Sequence, residues 1–216
     1  MAAPSLTLTR IATAETNGAP FWERCLSGVA LLCIAPLLLI VLAVIRLLSG
    51  RAPLVGHLRV GQFGQPLWVW KVRTMWAGGP GKGHAAFVER LQDTHVPALK
   101  AGHDPRVTSR FAAFCRRHSL DELPQLWQVT TGSMRFVGPR PMTQAELDEH
   151  YAEAQAEVLS VPPGLTGLWQ VMGRNRLTYA QRRRLDVFLA RHYGPGLHAW
   201  VLLRTITELL RPRHAW

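Results

Sequence analysis

Residues 25–48 form an apolar run of 24 positions, interrupted only by Ser27 and Arg46. As a helix this run would measure about 36 Å, more than the roughly 30 Å hydrocarbon core of a bilayer. Whatever else the chain builds must therefore fold as a body tied to a membrane near its N-terminus. A signal peptide would carry an apolar region of only about 7–15 residues, closed by a small-residue cleavage site. This run is longer, and no clear site of that kind follows it. Pro36 lies in its middle. A proline there removes one backbone hydrogen bond and pushes on the preceding turn, so the helix bends. Two geometries follow: a tilted, kinked span, or a helix that enters the bilayer, turns at Pro36 and leaves on the same side. Basic residues after the run (Arg46, Arg51, Arg59, Lys71, Arg73) outnumber those before it (Arg10, Arg24). The positive-inside rule then puts the globular part in the cytoplasm in both cases.

With 216 residues the chain has room for one good core and a small appendage. The division expected is a flexible tail over 1–20, a membrane-inserted helix over 21–49, and a cytoplasmic, membrane-associated domain over 50–216. The net charge of +11 requires an anionic partner: nucleic acid, a membrane surface or phosphate-bearing substrates. No helix-turn-helix pattern and no interleaved basic and aromatic strand motif speaks for nucleic acid. Three unpaired cysteines (Cys25, Cys33, Cys115) and nine scattered histidines argue against a disulfide framework or a zinc site. The segment 50–64 is rich in turn signals, and 67–73 reads as a strand. Residues 76–84 read as a flexible connection. Helices are expected near 84–92, 106–117, 121–130, 142–159 (solvent-exposed) and 178–192. The segment 197–210 reads either as an amphipathic helix in the membrane interface, with Trp200 and Trp216 as anchors, or as a core helix. The fold class is α+β, mostly helical, with a few short strands.

Three segments can carry chemistry. Ser119-Leu120-Asp121-Glu122-Leu123-Pro124-Gln125 has the Ser-x-x-Glu spacing of a capping box. It also sets two adjacent carboxylates at the positive end of a helix dipole, where carboxylates stay ionised and phosphates bind. Adjacent helical side chains diverge by about 100°. One carboxylate can attack phosphorus while its neighbour reaches a divalent metal. In Val137-Gly138-Pro139-Arg140-Pro141, two prolines stiffen the backbone around one arginine and so suit it to grip phosphate. The third segment runs from Pro163-Gly164-Leu165-Thr166-Gly167 through Gln170-Val171 to Gly173-Arg174-Asn175. Its glycines allow close backbone approach to a ligand, and Gln170, Arg174 and Asn175 supply polar contacts. Arg73 and Arg116 are further candidates for diphosphate binding, and a basic face lying against the membrane explains them equally well.

In this order, and together with Arg59-Val60-Gly61, Lys71-Val72-Arg73-Thr74-Met75, Asp104-Pro105-Arg106-Val107-Thr108 and Leu185-Asp186-Val187, these segments resemble the bacterial sugar transferase family, the monotopic phosphoglycosyl transferases. The resemblance runs from residue 21 to residue 210. It implies transfer of a sugar-1-phosphate from a UDP-sugar to undecaprenyl phosphate with release of UMP and a need for Mg²⁺. This would occur at the bacterial inner membrane and begin a surface polysaccharide or glycan. It implies Asp121 as nucleophile, Glu122 as metal ligand, Arg140 as a phosphate-binding residue, and a re-entrant helix. A homo-oligomer is left open. The chain departs from the family pattern at Ala35-Pro36, where a Ser-Pro pair is usual, and lacks the basic pair before the helix. It also departs at Glu23 (usually aspartate), at Gly132-Ser133-Met134-Arg135 (usually Gly-Asp-Met-Ser) and at His198 (usually aspartate). A catalytically silent membrane scaffold of a polysaccharide assembly complex is the alternative; it would be marked by loss of the acidic pair or of Arg140, and both are present.

Overall fold

The computed structural model describes residues 18–76, 88–92 and 107–210. The apolar run is one helix, α1 (Phe21–Ser49), with Pro36 inside it and Gly50 closing it in the left-handed conformation. It is long and apolar enough to cross a bilayer, and only 17% of its most apolar 18-residue window is buried. The remaining chain leaves α1 largely uncovered, as it would a membrane helix and not a core helix of a soluble protein.

β1 (Leu54–Val60) and β2 (Pro66–Val72) form an antiparallel hairpin, paired from Leu54↔Val72 to Val60↔Pro66. The β-branched and aromatic run of β2 was legible as a strand. β1 was not, because its glycine, histidine and arginine read as turn residues. β3 (Val88–Gln92) adds to the other edge of β1 in parallel, so the sheet order is β2-β1-β3. A helix was expected over 84–92, and the described part of that span is a strand. The five residues are too few for a helical period to declare itself, and pairing with β1 decides their state. The connection expected over 76–84 falls mostly outside the described residues.

α2 (Arg110–Arg117) leads into a 3-10 segment (Leu120–Gln125), and α3 (Leu126–Thr131) follows directly. β4 (Arg135–Val137) then pairs in parallel with β5 (Gly164–Thr166). The single exposed helix expected over 142–159 is instead α4 (Gln144–His150), a 3-10 turn and α5 (Gln155–Val158). Leu147, Tyr151 and Val158 from this stretch are core residues packed with Met142, so tertiary burial breaks a helix that local propensity alone would have continued. α6 (Leu168–Met172), α7 (Tyr179–Arg191) and α8 (Pro195–Leu210) complete the chain. α7 begins with a true capping box between Thr178 and Gln181. α8 answers to both readings offered for it. Val201 is fully buried with Leu168 and Leu189, whereas Trp200, Leu203, Ile206 and Leu209 are exposed. Trp216 lies outside the described residues.

Two ends of α1 are joined to this body. Near the start, Ser27 Oγ donates to the Leu126 carbonyl (2.7 Å) and Arg24 Nε to the Thr130 carbonyl (3.0 Å). Near the end, Val41, Leu42 and Ile45 are buried with Val72 and Cys115. Between these anchors, no residue from 28 to 40 is buried.

Candidate active site

The acidic pair sits where α2 ends and the chain turns. Ser119 adopts the left-handed conformation (φ 55°), and its side chain makes no cap hydrogen bond. The capping box expected at Ser119 and Glu122 is therefore absent. A residue with φ in this region cannot take the extended backbone that an N-cap needs. Instead the Glu122 N–H donates to the Ser119 carbonyl (3.1 Å) and starts a 3-10 turn. Successive side chains in such a turn diverge by about 120°. Asp121 accordingly turns inward and is buried, while Glu122 faces β2 and Arg140.

Glu122 Oε1 accepts from Lys71 Nζ at 2.8 Å and from Arg140 Nη1 at 3.3 Å. Burial pushes this carboxyl up, but Lys71 and Arg140 together hold it at about 2. Asp121 moves the other way. Burial and the Glu122 charge raise it above the ordinary aspartate value, against the pull of Lys71 and Arg116. Burial lowers Lys71, since the attraction of Glu122 does not fully offset its desolvation. Two neighbouring carboxyls are thus driven apart, one firmly ionised and the other nearer to titration, a pattern typical of working sites.

Arg140 reaches this pair through two tight strands. Gly138 N–H donates to the Thr166 carbonyl (3.0 Å) and Gly164 N–H to the Pro139 carbonyl (2.9 Å). A Cβ on Gly138 would lie 2.3 Å from the Pro162 carbonyl oxygen, and one on Gly164 would lie 2.0 Å from the Gly138 nitrogen. These two glycines let β4 and β5 touch backbone to backbone; the close approach read from Gly164 is to another strand and not to a ligand. Beyond Pro141, the Val60 N–H donates to the Met142 carbonyl (2.8 Å). Arg140 is consequently held from both sides. Glu146, in the first turn of α4, adds a second negative charge near its guanidinium.

The other expected residues are placed as follows. Arg116 Nη1 lies 3.5 Å from Thr74 Oγ1, and its charge acts on Asp121. Arg73 is buried and donates through Nε to the Ala52 carbonyl (2.8 Å), which ties β2 to the chain leaving α1. Gln170 stands beside Gly167, and its buried Oε1 has no hydrogen-bond partner among the described residues. Arg174 donates to the Gln170 carbonyl (3.1 Å), and Asn175 lies in the 3-10 turn that follows α6. Asp186, also noted in the sequence, is buried and accepts from the Tyr151 hydroxyl (2.8 Å). Lys71 and Glu146 were not singled out as site residues. Lys71 sits within a legible strand, but nothing in its spacing says that the strand's end meets the acidic pair.

The family model for bacterial sugar transferases matches residues 19–212. The chain belongs to the bacterial sugar transferase family. Among relatives of this sugar transferase is the exopolysaccharide production protein ExoY of Rhizobium meliloti strain 1021. It is 36% identical over 193 residues, covering 88% of this chain and 84% of its own length. The UDP-galactose-lipid carrier transferase of Erwinia amylovora is 36% identical over 201 residues, 88% of this chain but 41% of its own length. The UDP-glucose:undecaprenyl-phosphate glucose-1-phosphate transferase of Escherichia coli K12 is 34% identical over 150 residues, 68% of this chain and 29% of its own length. This sugar transferase thus spans most of an ExoY-sized protein and well under half of the other two.

Proposed function

We propose that this sugar transferase moves a sugar-1-phosphate from a UDP-sugar to undecaprenyl phosphate at the cytoplasmic face of the bacterial inner membrane, opening a surface polysaccharide or glycan. The observation that carries the reading is the buried Asp121 beside Glu122, with Lys71, Arg116 and Arg140 converging on the pair. Two relatives with lipid-carrier or undecaprenyl-phosphate acceptors in their names support the same acceptor here.

The reaction runs as two displacements at one phosphorus. An Asp121 carboxylate oxygen attacks the β-phosphorus of the donor, and the bond from that phosphorus to the bridging oxygen breaks. UMP leaves with that oxygen, and the sugar phosphate remains on Asp121 as an acyl phosphate. A phosphate oxygen of the lipid then attacks the same phosphorus and frees the Asp121 carboxylate. Arg140 and Lys71 offset charge on the phosphoryl oxygens as UMP departs, and Arg116 faces the nucleophile. Asp121 and Glu122 offer hard carboxylate oxygens, the donor type that Mg²⁺ takes. Glu122 would hold the ion. Among the described residues no cluster of three His, Cys, Asp or Glu side chains could hold a metal, so substrate phosphates and water would supply its other ligands. When bound, Mg²⁺ supplies positive charge at the diphosphate. Gln170, Arg174 and Asn175 are proposed to meet the nucleotide or sugar; the unpartnered Gln170 Oε1 calls for a donor such as a hydroxyl or a ring N–H.

The helix geometry supports a re-entrant α1. Both of its ends rest on one body, and no residue from 28 to 40, the stretch that holds Pro36, is buried.

The test is UMP release by detergent-purified protein given Mg²⁺, undecaprenyl phosphate and a panel of UDP-sugars. Release should require both lipid and metal and should vanish in Asp121→Asn, which stays folded. An Asp121→Asn protein that releases UMP at the wild-type rate would overturn the covalent mechanism.

A further inference from the structure

Glu23 lies in the first turn of α1, 2% exposed, and none of the chemistry above uses it. Its Oε1 accepts from Arg135 Nε at 3.0 Å and from Arg135 Nη2, and its Oε2 accepts from the Phe136 backbone N–H at 3.0 Å. Burying a carboxylate is costly unless its lone pairs are satisfied, and here one guanidinium and one amide do so. Arg135 and Phe136 open β4, the strand that delivers Arg140 three residues beyond its end. The Arg135 guanidinium also stands over the Tyr193 ring (5.3 Å to its centre), and the Tyr193 hydroxyl donates to the Val137 carbonyl (3.0 Å). All three residues of β4 are thereby pinned in succession.

The same two turns of α1 hold the other half of the site. Arg24 and Ser27 bind carbonyls of α3, which continues without a break from the 3-10 segment bearing Asp121 and Glu122. The root of the membrane helix therefore bridges two chain segments that meet again at the Arg140–Glu122 contact (3.3 Å). Glu23 and Arg135 lie 112 residues apart in the chain, and in the structure they are the two halves of one ion pair.

We infer that Glu23 is a positioning residue: through Arg135 and the Phe136 N–H it fixes strand β4 and so sets where Arg140 stands relative to Glu122. Only the role of Arg140 in turnover rests on the proposed function; the linkage itself does not. Loosening β4 displaces a guanidinium that must meet charge developing on phosphorus, and a misplacement of about 1 Å can cost on the order of 100-fold in rate.

The experiment uses the full chain in detergent. Glu23→Gln, which keeps the shape and loses the charge, should lower kcat on the order of 10- to 100-fold while the KM for the lipid stays put. In an Arg140→Ala background the same change should cost nothing further. A loss of equal size in both backgrounds, or wild-type kcat in Glu23→Gln, overturns the inference. Arg135→Lys, which keeps the charge but not the two-toothed grip, serves as the second variant and should show the same dependence on Arg140. Hydrogen–deuterium exchange gives a readout that needs no turnover. Peptides covering 134–142 should exchange faster in Glu23→Gln, and unchanged exchange there overturns the inference. A wild-type protein that releases no UMP with any donor would count against the proposed function alone, leaving the exchange measurement to decide this linkage.

Discussion

One carboxylate oxygen of Glu122 accepts from two cations, Lys71 and Arg140, and this shared contact joins β2, the 3-10 segment and the exit of β4. The folded value of about 2 lies below the ordinary 4.5, so the contact adds stability that is fully present above about pH 4.5 and is lost as pH falls through about 2. Glu122→Gln at pH 7 removes that attraction and leaves two cations facing each other with less to balance them. We expect it to destabilise the protein by about 2–3 kcal/mol, at the low end for breaking an ion pair because the side chain is partly exposed. Denaturant unfolding in detergent measures this, and an unshifted midpoint would mean that solvent already screens the pair. At this scale Asp121, Glu122 and Arg140 were legible as candidates, because their types and immediate neighbours are unusual, and the structure brings the three together. Lys71 was not, since its partner lies 51 residues away and only the fold brings them together.

Among the elements, α1 follows most directly from composition. Its length and apolar character are local, and it carries Pro36 inside it. Its two anchor points lie in the folded domain and could not be read from the helix itself. The re-entrant reading predicts that a thiol placed in the tail, as in Ser5→Cys on a background without Cys25, Cys33 and Cys115, stays hidden from a membrane-impermeant maleimide in intact cells. Pro36→Leu should straighten the helix and expose that thiol on the far side. Labelling of the Pro36-bearing chain would sink the re-entrant reading. Elements with a strong local signal, such as β2 and α7, appear where the pattern puts them. Those decided by pairing or burial, such as β3 and the broken stretch from α4 to α5, do not.

For the whole molecule, the cost of the buried acids should appear in its response to pH. Burial pushes Asp186 up to about 7, against the hydrogen bond from Tyr151. Its folded value exceeds the ordinary 3.8, so its contribution to stability is full below about pH 3.8 and is lost as pH rises through about 7. The raised Asp121 acts in the same direction. Unfolding free energy should therefore decline between about pH 4 and 7, with Asp186 accounting for up to about 4 kcal/mol. Asp186→Asn should flatten most of that slope in unfolding experiments run across the range. An unchanged slope would mean that Asp186 is not the group being titrated.

The sequence by itself determined the long apolar helix and the family, and it singled out Asp121, Glu122 and Arg140 as candidates, because each is a matter of local composition or of order along the chain. The tertiary structure alone decided that Ser119 turns left-handed and caps nothing, that Gly138 and Gly164 serve each other's backbones, and that Lys71 completes the acidic pair. It alone decided, too, that Glu23 at the root of the membrane helix grips the strand leading to Arg140. Those facts depend on which distant segments share a surface, and no period or propensity along the chain encodes that.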